Sequence, residues 1–323
     1  MSTFLDPAIL FFVFGIVAGL LKSNLEIPPP IARFLSLYLL MALGLKGGFA
    51  LAKSGLTAQV SLSLMCAMLL AFIVPMLGYA LLKRFLTTYD AAAIAATYGS
   101  VSAVTFITAA QFLDARGIAY GGHMAAAMAL MESPAIIMAV LLAQRARKRD
   151  PAAQASAANH GNSIGGILRE SFTDGAQLLL LGAMVVGLLT GESGKAAMQP
   201  FTGDLFKGML SFFLLDMGLQ AARNMSALGK MPRWLPAYAV AAPLLHASLA
   251  LAMATAIGMN QGDTMLLMAL AASASYIAVP AVIREAIPEA QPAIYLGMSL
   301  GLTFPFNILI GIPLYAEIAK MLR

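Results

Sequence analysis

The sequence predicts an all-α integral membrane protein: ten transmembrane helices arranged as a 5+5 inverted repeat, with two of the helices interrupted. Three observations predict it. Of the 323 residues, 60% are hydrophobic and 11% charged, where a soluble domain carries about 25% charged residues. Apolar runs of about 18 residues or more recur along nearly the whole chain, which favours helices over the weak alternating segments of a barrel. The pattern of the first half also returns in the second.

Taken in order, the spans fall at about 7–22, 31–51, 59–82, 90–112, 121–144, 174–191, 204–222, 235–257, 263–286 and 292–321. Met1 to Leu21 is hydrophobic but has no basic leader and no cleavage site, so it reads as the first span and not as a signal peptide. Pro28-Pro29-Pro30 stiffens the first connection, and Pro232 with Pro236 frames the seventh. Cys66 stands alone in an apolar run and reads as a small core residue. One sizeable loop interrupts the series. It opens with Arg145, Arg147, Lys148 and Arg149 and continues through small polar residues from Pro151 to Gly161. The chain therefore divides into residues 1–144, a cytoplasmic loop 145–173, and residues 174–323.

The two halves repeat each other. Val17-Ala18-Gly19-Leu20-Leu21 resembles Val185-Val186-Gly187-Leu188-Leu189, and Gly44-Leu45-Lys46 resembles Gly218-Leu219-Gln220. Gly55 then falls on Gly229, and Pro134 of span five on Pro305 of span ten. Five is odd, so the second half enters the membrane the other way up. With the N-terminus outside, 13 of the 20 Lys and Arg residues lie on the cytoplasmic side, including Lys83, Arg84 and those of the long loop. The positive-inside bias thus expects both termini outside, in the cell inner (plasma) membrane.

Setting Asp90 on Asp263 also aligns two serine pairs, Ser100 with Ser273 and Ser102 with Ser275. Serine side chains compete for backbone hydrogen bonds, and Pro280 removes a donor, so both helices should break at these pairs and cross there. In lipid, freed backbone is tolerated where it lines a cavity or meets a ligand. Each restarting half-helix offers unpaired amides and a partial positive charge. Gly99, Ser100, Val101, Ser102, Ser273, Ala274 and Ser275 are therefore candidate anion-binding residues, needing no arginine. The bland alternative is that small residues here merely let helices pack closely.

Asp216 lies deep in span seven, where an ionisable group points to an ion or a proton. Its repeat partner is Ala42. Glu132 precedes Pro134, Thr303 precedes Pro305, and Asn307 follows. With Thr105 and Tyr276 beside the serine pairs, they supply the oxygens that a hard cation such as sodium takes. The alternatives are plain proline kinks and a pinned or protonated carboxylate.

Three histidines and one cysteine form no metal-ligand spacing, and His246 reads as a core histidine. No G-x-x-x-x-G-K-[ST] loop is present to bind ATP. No nucleophile stands with a base and an orienting partner, so an enzyme is not expected.

Tyr98-Gly99-Ser100-Val101-Ser102-Ala103-Val104-Thr105-Phe106, Ala272-Ser273-Ala274-Ser275-Tyr276-Ile277-Ala278 and Asn307-Ile308-Leu309-Ile310-Gly311-Ile312-Pro313-Leu314-Tyr315 resemble the sodium-dependent bicarbonate transporters of the cyanobacterial carbon-concentrating mechanism. The resemblance covers essentially all ten spans. It implies sodium–bicarbonate symport with sodium as the transported ion and no organic cofactor. It further implies a fold like that of sodium/proton antiporters and bile-acid symporters, a homotrimer, and control by a PII-like regulatory protein on the cytoplasmic face. The rival readings are a symporter for another small monocarboxylate, a proton-coupled antiporter on the same scaffold, and a non-transporting membrane receptor.

Overall fold

The computed structural model describes residues 6–55, 57–147, 175–225, 229 and 231–321. Most of the expected 145–173 loop lies outside the described residues. Among the described residues there is no strand. Helix α1 spans Pro7–Leu20, α2 Pro29–Ser54, α3 Ala58–Leu82, α4 Thr88–Gly99, α5 Ala103–Asp114 and α6 His123–Arg147. After the loop come α7 (Gly175–Gln199), α8 (Phe206–Met225), α9 (Trp234–Ala256), α10 (Gln261–Ala272) and α11 (Ala278–Ala286). The last helix runs from Pro292 to Met321 in pieces: α12 (Pro292–Met298), wide π turns at Ser299–Thr303 and Asn307–Gly311, and α13 (Ile312–Met321). Among the described residues, seven stretches are long and apolar enough to cross a membrane, while Pro7–Leu20 is apolar but shorter.

Two packing units stand out. In the first, α2 lies along α7 and α1 along α8, with α8 also touching α2. The contacts are backbone against backbone. A Cβ on Gly48 would sit 2.1 Å from the Met184 carbonyl oxygen, and one on Gly44 would sit 2.3 Å from that of Leu180. Across the other seam, a Cβ on Gly218 would sit 2.2 Å from the Phe12 carbonyl oxygen, and one on Gly19 would meet the Ala222 Cβ at 2.6 Å. In the second unit, α3, α4 and α6 pack together, as do α9, α10 and α13.

The interrupted helices are anchored alike. Thr87 caps α4 by accepting the Asp90 N–H (3.1 Å), and the Asp90 carboxylate accepts the Gln291 N–H (2.8 Å). Asn260 caps α10 by accepting the Asp263 N–H (2.9 Å), and Asp263 accepts the Gly121 N–H (2.6 Å). Each buried carboxylate thus fastens the start of a broken helix to the connection just before another helix, α12 for Asp90 and α6 for Asp263. The α7 helix departs from the expected span: it passes position 191 and continues to Gln199 across a kink. Gly191 there has a φ of 55°, a backbone shape that favours glycine.

Candidate functional site

The chain leaves helical geometry at the two serine pairs. Ser100 is extended (φ −91°, ψ 178°), as is Ser273 (φ −78°, ψ 166°). Gly99 ends α4 against Pro75, whose ring carbons would lie 2.5 Å from any Cβ placed there. Ser102 restarts the chain as the cap of α5, its Oγ accepting the Thr105 N–H at 3.2 Å. Ser275, two residues ahead of Ile277 at the N-cap of α11, accepts the Val279 N–H at 3.3 Å.

The breaks also satisfy one another. The Ser102 N–H donates to Ser273 Oγ (2.9 Å), whose own hydroxyl donates to the Leu270 carbonyl (2.8 Å). The Ser275 N–H donates to the Thr97 carbonyl (2.8 Å). These bonds hold the two interrupted helices against each other where their regular hydrogen bonding lapses. They use Ser273 fully and leave Ser100 Oγ buried without a hydrogen-bond partner. Thr105 Oγ1 is in the same position. The Tyr276 hydroxyl faces Ser102 without a hydrogen bond of full geometry.

A cavity of about 260 Å³ lies in front of the crossing. Ser102 and Ala103, which start α5, border it, as do Ser275 to Ala278, which start α11. Ser36 of α2, Glu132 of α6 and Gln177 of α7 add polar groups, and the remaining wall is largely apolar. Two helix N-termini therefore face one cavity, each worth about half a positive charge. Such a site suits a small anion without a cationic side chain.

Of the candidate residues, Val101, Ser102, Ser275, Tyr276 and Glu132 share this cavity. Gly99, Ser100, Ser273, Ala274 and Thr105 lie in or beside the breaks without lining it. Thr303 and Asn307 do not line it either. Thr303 donates to the Ala239 carbonyl (2.7 Å), so the Tyr98 hydroxyl is the donor in their 2.6 Å contact. Asn307 donates to the Ala272 carbonyl (2.8 Å) and accepts from the Tyr315 hydroxyl (2.9 Å). Asp216 is buried on α8, bonded to Gln220 Nε2 (2.7 Å) and within electrostatic reach of Tyr276. Among the described residues, no three of His, Cys, Asp and Glu gather as a metal site.

Sequence reasoning quoted Tyr98 and Tyr315 within the family motifs without giving them a role, and it missed Gln177 and Ser36, which no local pattern marks. Asp90 and Asp263 were used only as register marks. Their signal was present, since each stands three residues after a capping side chain, Thr87 or Asn260.

No curated protein matches the chain. Residues 7–320 match the family described as the Na+-dependent bicarbonate transporter superfamily. A match over nearly the whole length, on a helical frame with membrane-length apolar segments, assigns the chain to that superfamily of multi-pass membrane transporters.

Proposed function

We propose that the protein is a sodium-driven bicarbonate symporter working by alternating access, with the anion held between the starts of α5 and α11. The single observation that carries this reading is the cavity bordered by both helix starts. A ten-span count follows if Pro7–Leu20 crosses, α7 and α8 cross separately, and α10 with α11 forms one interrupted span. The inverted repeat draws support from the glycine seams. Gly44 against Leu180 corresponds to Gly218 against Phe12, and Gly48 against Gly187 corresponds to Ala222 against Gly19. These are the pairings expected when each segment is exchanged for its repeat copy.

Sodium has candidate oxygens at the unpartnered Thr105 and Tyr276 hydroxyls, with Asp216 as the nearby charge. Thr303 and Asn307 hold the last helix against the breaks and act on the ion through that placement. A cation there offsets the cost of drawing an anion out of water, and each ligand then raises the affinity of the other by the same factor. Glu132, on the wall of the anion cavity itself, favours one second reading, coupling to protons.

The test is labelled bicarbonate uptake into proteoliposomes with an imposed sodium or proton gradient. Accumulation that requires inward sodium is expected. Uptake driven by protons and indifferent to sodium would select the second reading. A protein that binds bicarbonate yet accumulates none under either gradient is a receptor.

A further inference from the structure

A second cavity, of about 330 Å³, shares no wall residue with the first. It lies between the same helices and toward their other ends. Along α2 the first cavity takes Ser36 and Leu40, and the second takes Leu43, Lys46 and Lys53. On α5 the first takes Ile107, and the second takes Phe106 and then Asp114. Leu43 and Phe106 are buried, so an apolar septum divides one line of cavities into two. On the orientation proposed above, the second cavity faces outward.

Its polar wall carries more cations than anions. Lys46, Lys53 and Lys195 stand against Asp114 and Glu192, with Lys195 Nζ 3.6 Å from Glu192. Lys46 holds the central place. Its Nζ lies 3.1 Å from Asp114 Oδ2 and 4.3 Å from the centre of the Phe206 ring. Lys46 belongs to the glycine-seamed unit and Asp114 ends α5, which packs against α10 of the other unit, so this ion pair ties the two units together beyond the septum. Helix packing does not demand the lysine, because its repeat counterpart is Gln220. The side chains are 28% and 37% exposed, and a pair so open to water is weak enough to exchange. What Lys46 grips is a carboxylate, a planar group with two oxygens on one carbon and a single charge. A small monovalent oxyanion presents the same face.

We propose that Lys46 receives the small oxyanion on the face away from the serine cavity, and that Asp114 is its built-in substitute. With no anion present, the Lys46–Asp114 pair closes that side; an arriving anion displaces Asp114 and loosens the tie. The inference rests on the proposed transport of a small anion, and it adds a receiving residue and the gate that residue works.

Two measurements test it. In cells at saturating sodium, Lys46→Gln should raise the KM for bicarbonate about fivefold, the scale of one partly exposed charge contact. Asp114→Asn should lower the KM, because Lys46 loses its competitor, and Lys46→Arg should stay near the parent. A mere brace would make Lys46→Gln and Asp114→Asn fail alike, and that result overturns the proposal. The second measurement needs no transport. Asp114→Cys, in reconstituted protein, should react faster with an anionic thiosulfonate than with a cationic one, and bicarbonate should slow the anionic reagent. The parent, whose Cys66 is buried, is the blank. Adding Lys46→Gln should abolish both the preference and the protection. Absence of either in Asp114→Cys overturns the gate, even if the parent proves not to carry bicarbonate.

Discussion

Ser100 and Ser273 align when Asp90 is set on Asp263, yet the fold uses them differently. Ser273 is fully buried and its hydroxyl is bonded on both sides, to the Ser102 N–H and to the Leu270 carbonyl. Ser273→Ala strands the Ser102 N–H and should cost about 1–3 kcal/mol of stability. Ser100 Oγ has no hydrogen-bond partner, so Ser100→Ala should leave stability within about 0.5 kcal/mol and act, if it lies on the anion, through affinity. Thermal unfolding in detergent beside bicarbonate uptake separates the two; equal losses of stability would refute the distinction. The paired serines were legible because hydroxyls and a proline inside a span are a poor recipe for helix. Which hydroxyl is spoken for was not, since it depends on a partner about 170 residues away. The oxygens of Asn307 and Thr303 were legible in kind, but their partners Ala272, Tyr98 and Ala239 lie on other helices and leave no local trace; Tyr315 alone stands nearby, eight residues on from Asn307.

At the scale of elements, glycine divides into two classes. Those on the seams meet backbone: Gly48→Ala and Gly218→Ala would press a methyl to 2.1–2.2 Å from carbonyl oxygens of the facing helix. Backbone cannot turn aside as a side chain can, so each should cost about 1–3 kcal/mol, the range of overpacked cores. Gly182, inside α7, has nothing within 4 Å of its added Cβ. Gly182→Ala should be neutral, or stabilising by up to about 1 kcal/mol through helix propensity. Melting temperatures of the three variants check this, and a seam variant as stable as Gly182→Ala would contradict it. The glycines were legible as repeat markers, because Gly44 and Gly187 each have a glycine counterpart. Their role as contacts was not, since pairing α2 with α7 requires knowing which halves face each other. The π turns around Pro305 were hidden as well: the proline announced a disturbance but not that the helix would widen on both sides of it.

For the whole molecule, the charge bias expects the loop at 145–173 on the cytoplasmic side, and on that expectation the serine cavity, which reaches Gln177 at the start of α7, lies toward the same side. An accessibility label placed at positions 151–165 should react only from the cytoplasmic face. Labelling from outside intact cells would invert the molecule, and with it the facing of both cavities. That membrane-length apolar helices recur along the chain was legible because about 20 apolar residues per crossing is a property of the bilayer. The division into a seamed unit and a unit of broken helices was not, because it depends on contacts between halves.

Those contacts bear on how the chain is made. α1 rests on α8 and α2 on α7, each about 140–200 residues further along. The first half therefore enters the membrane with its glycine stripes facing lipid. The Ser102 N–H waits as well, because Ser273 lies 171 residues further along. An unpaired amide in hydrocarbon costs several kcal/mol, so the nascent chain does better to run helical through Ser100–Ser102. The break that makes the site is in this sense written by the last third of the protein. It opens when the second half folds against the first, and a chain stalled before Ser273 would carry the serines without the cavity.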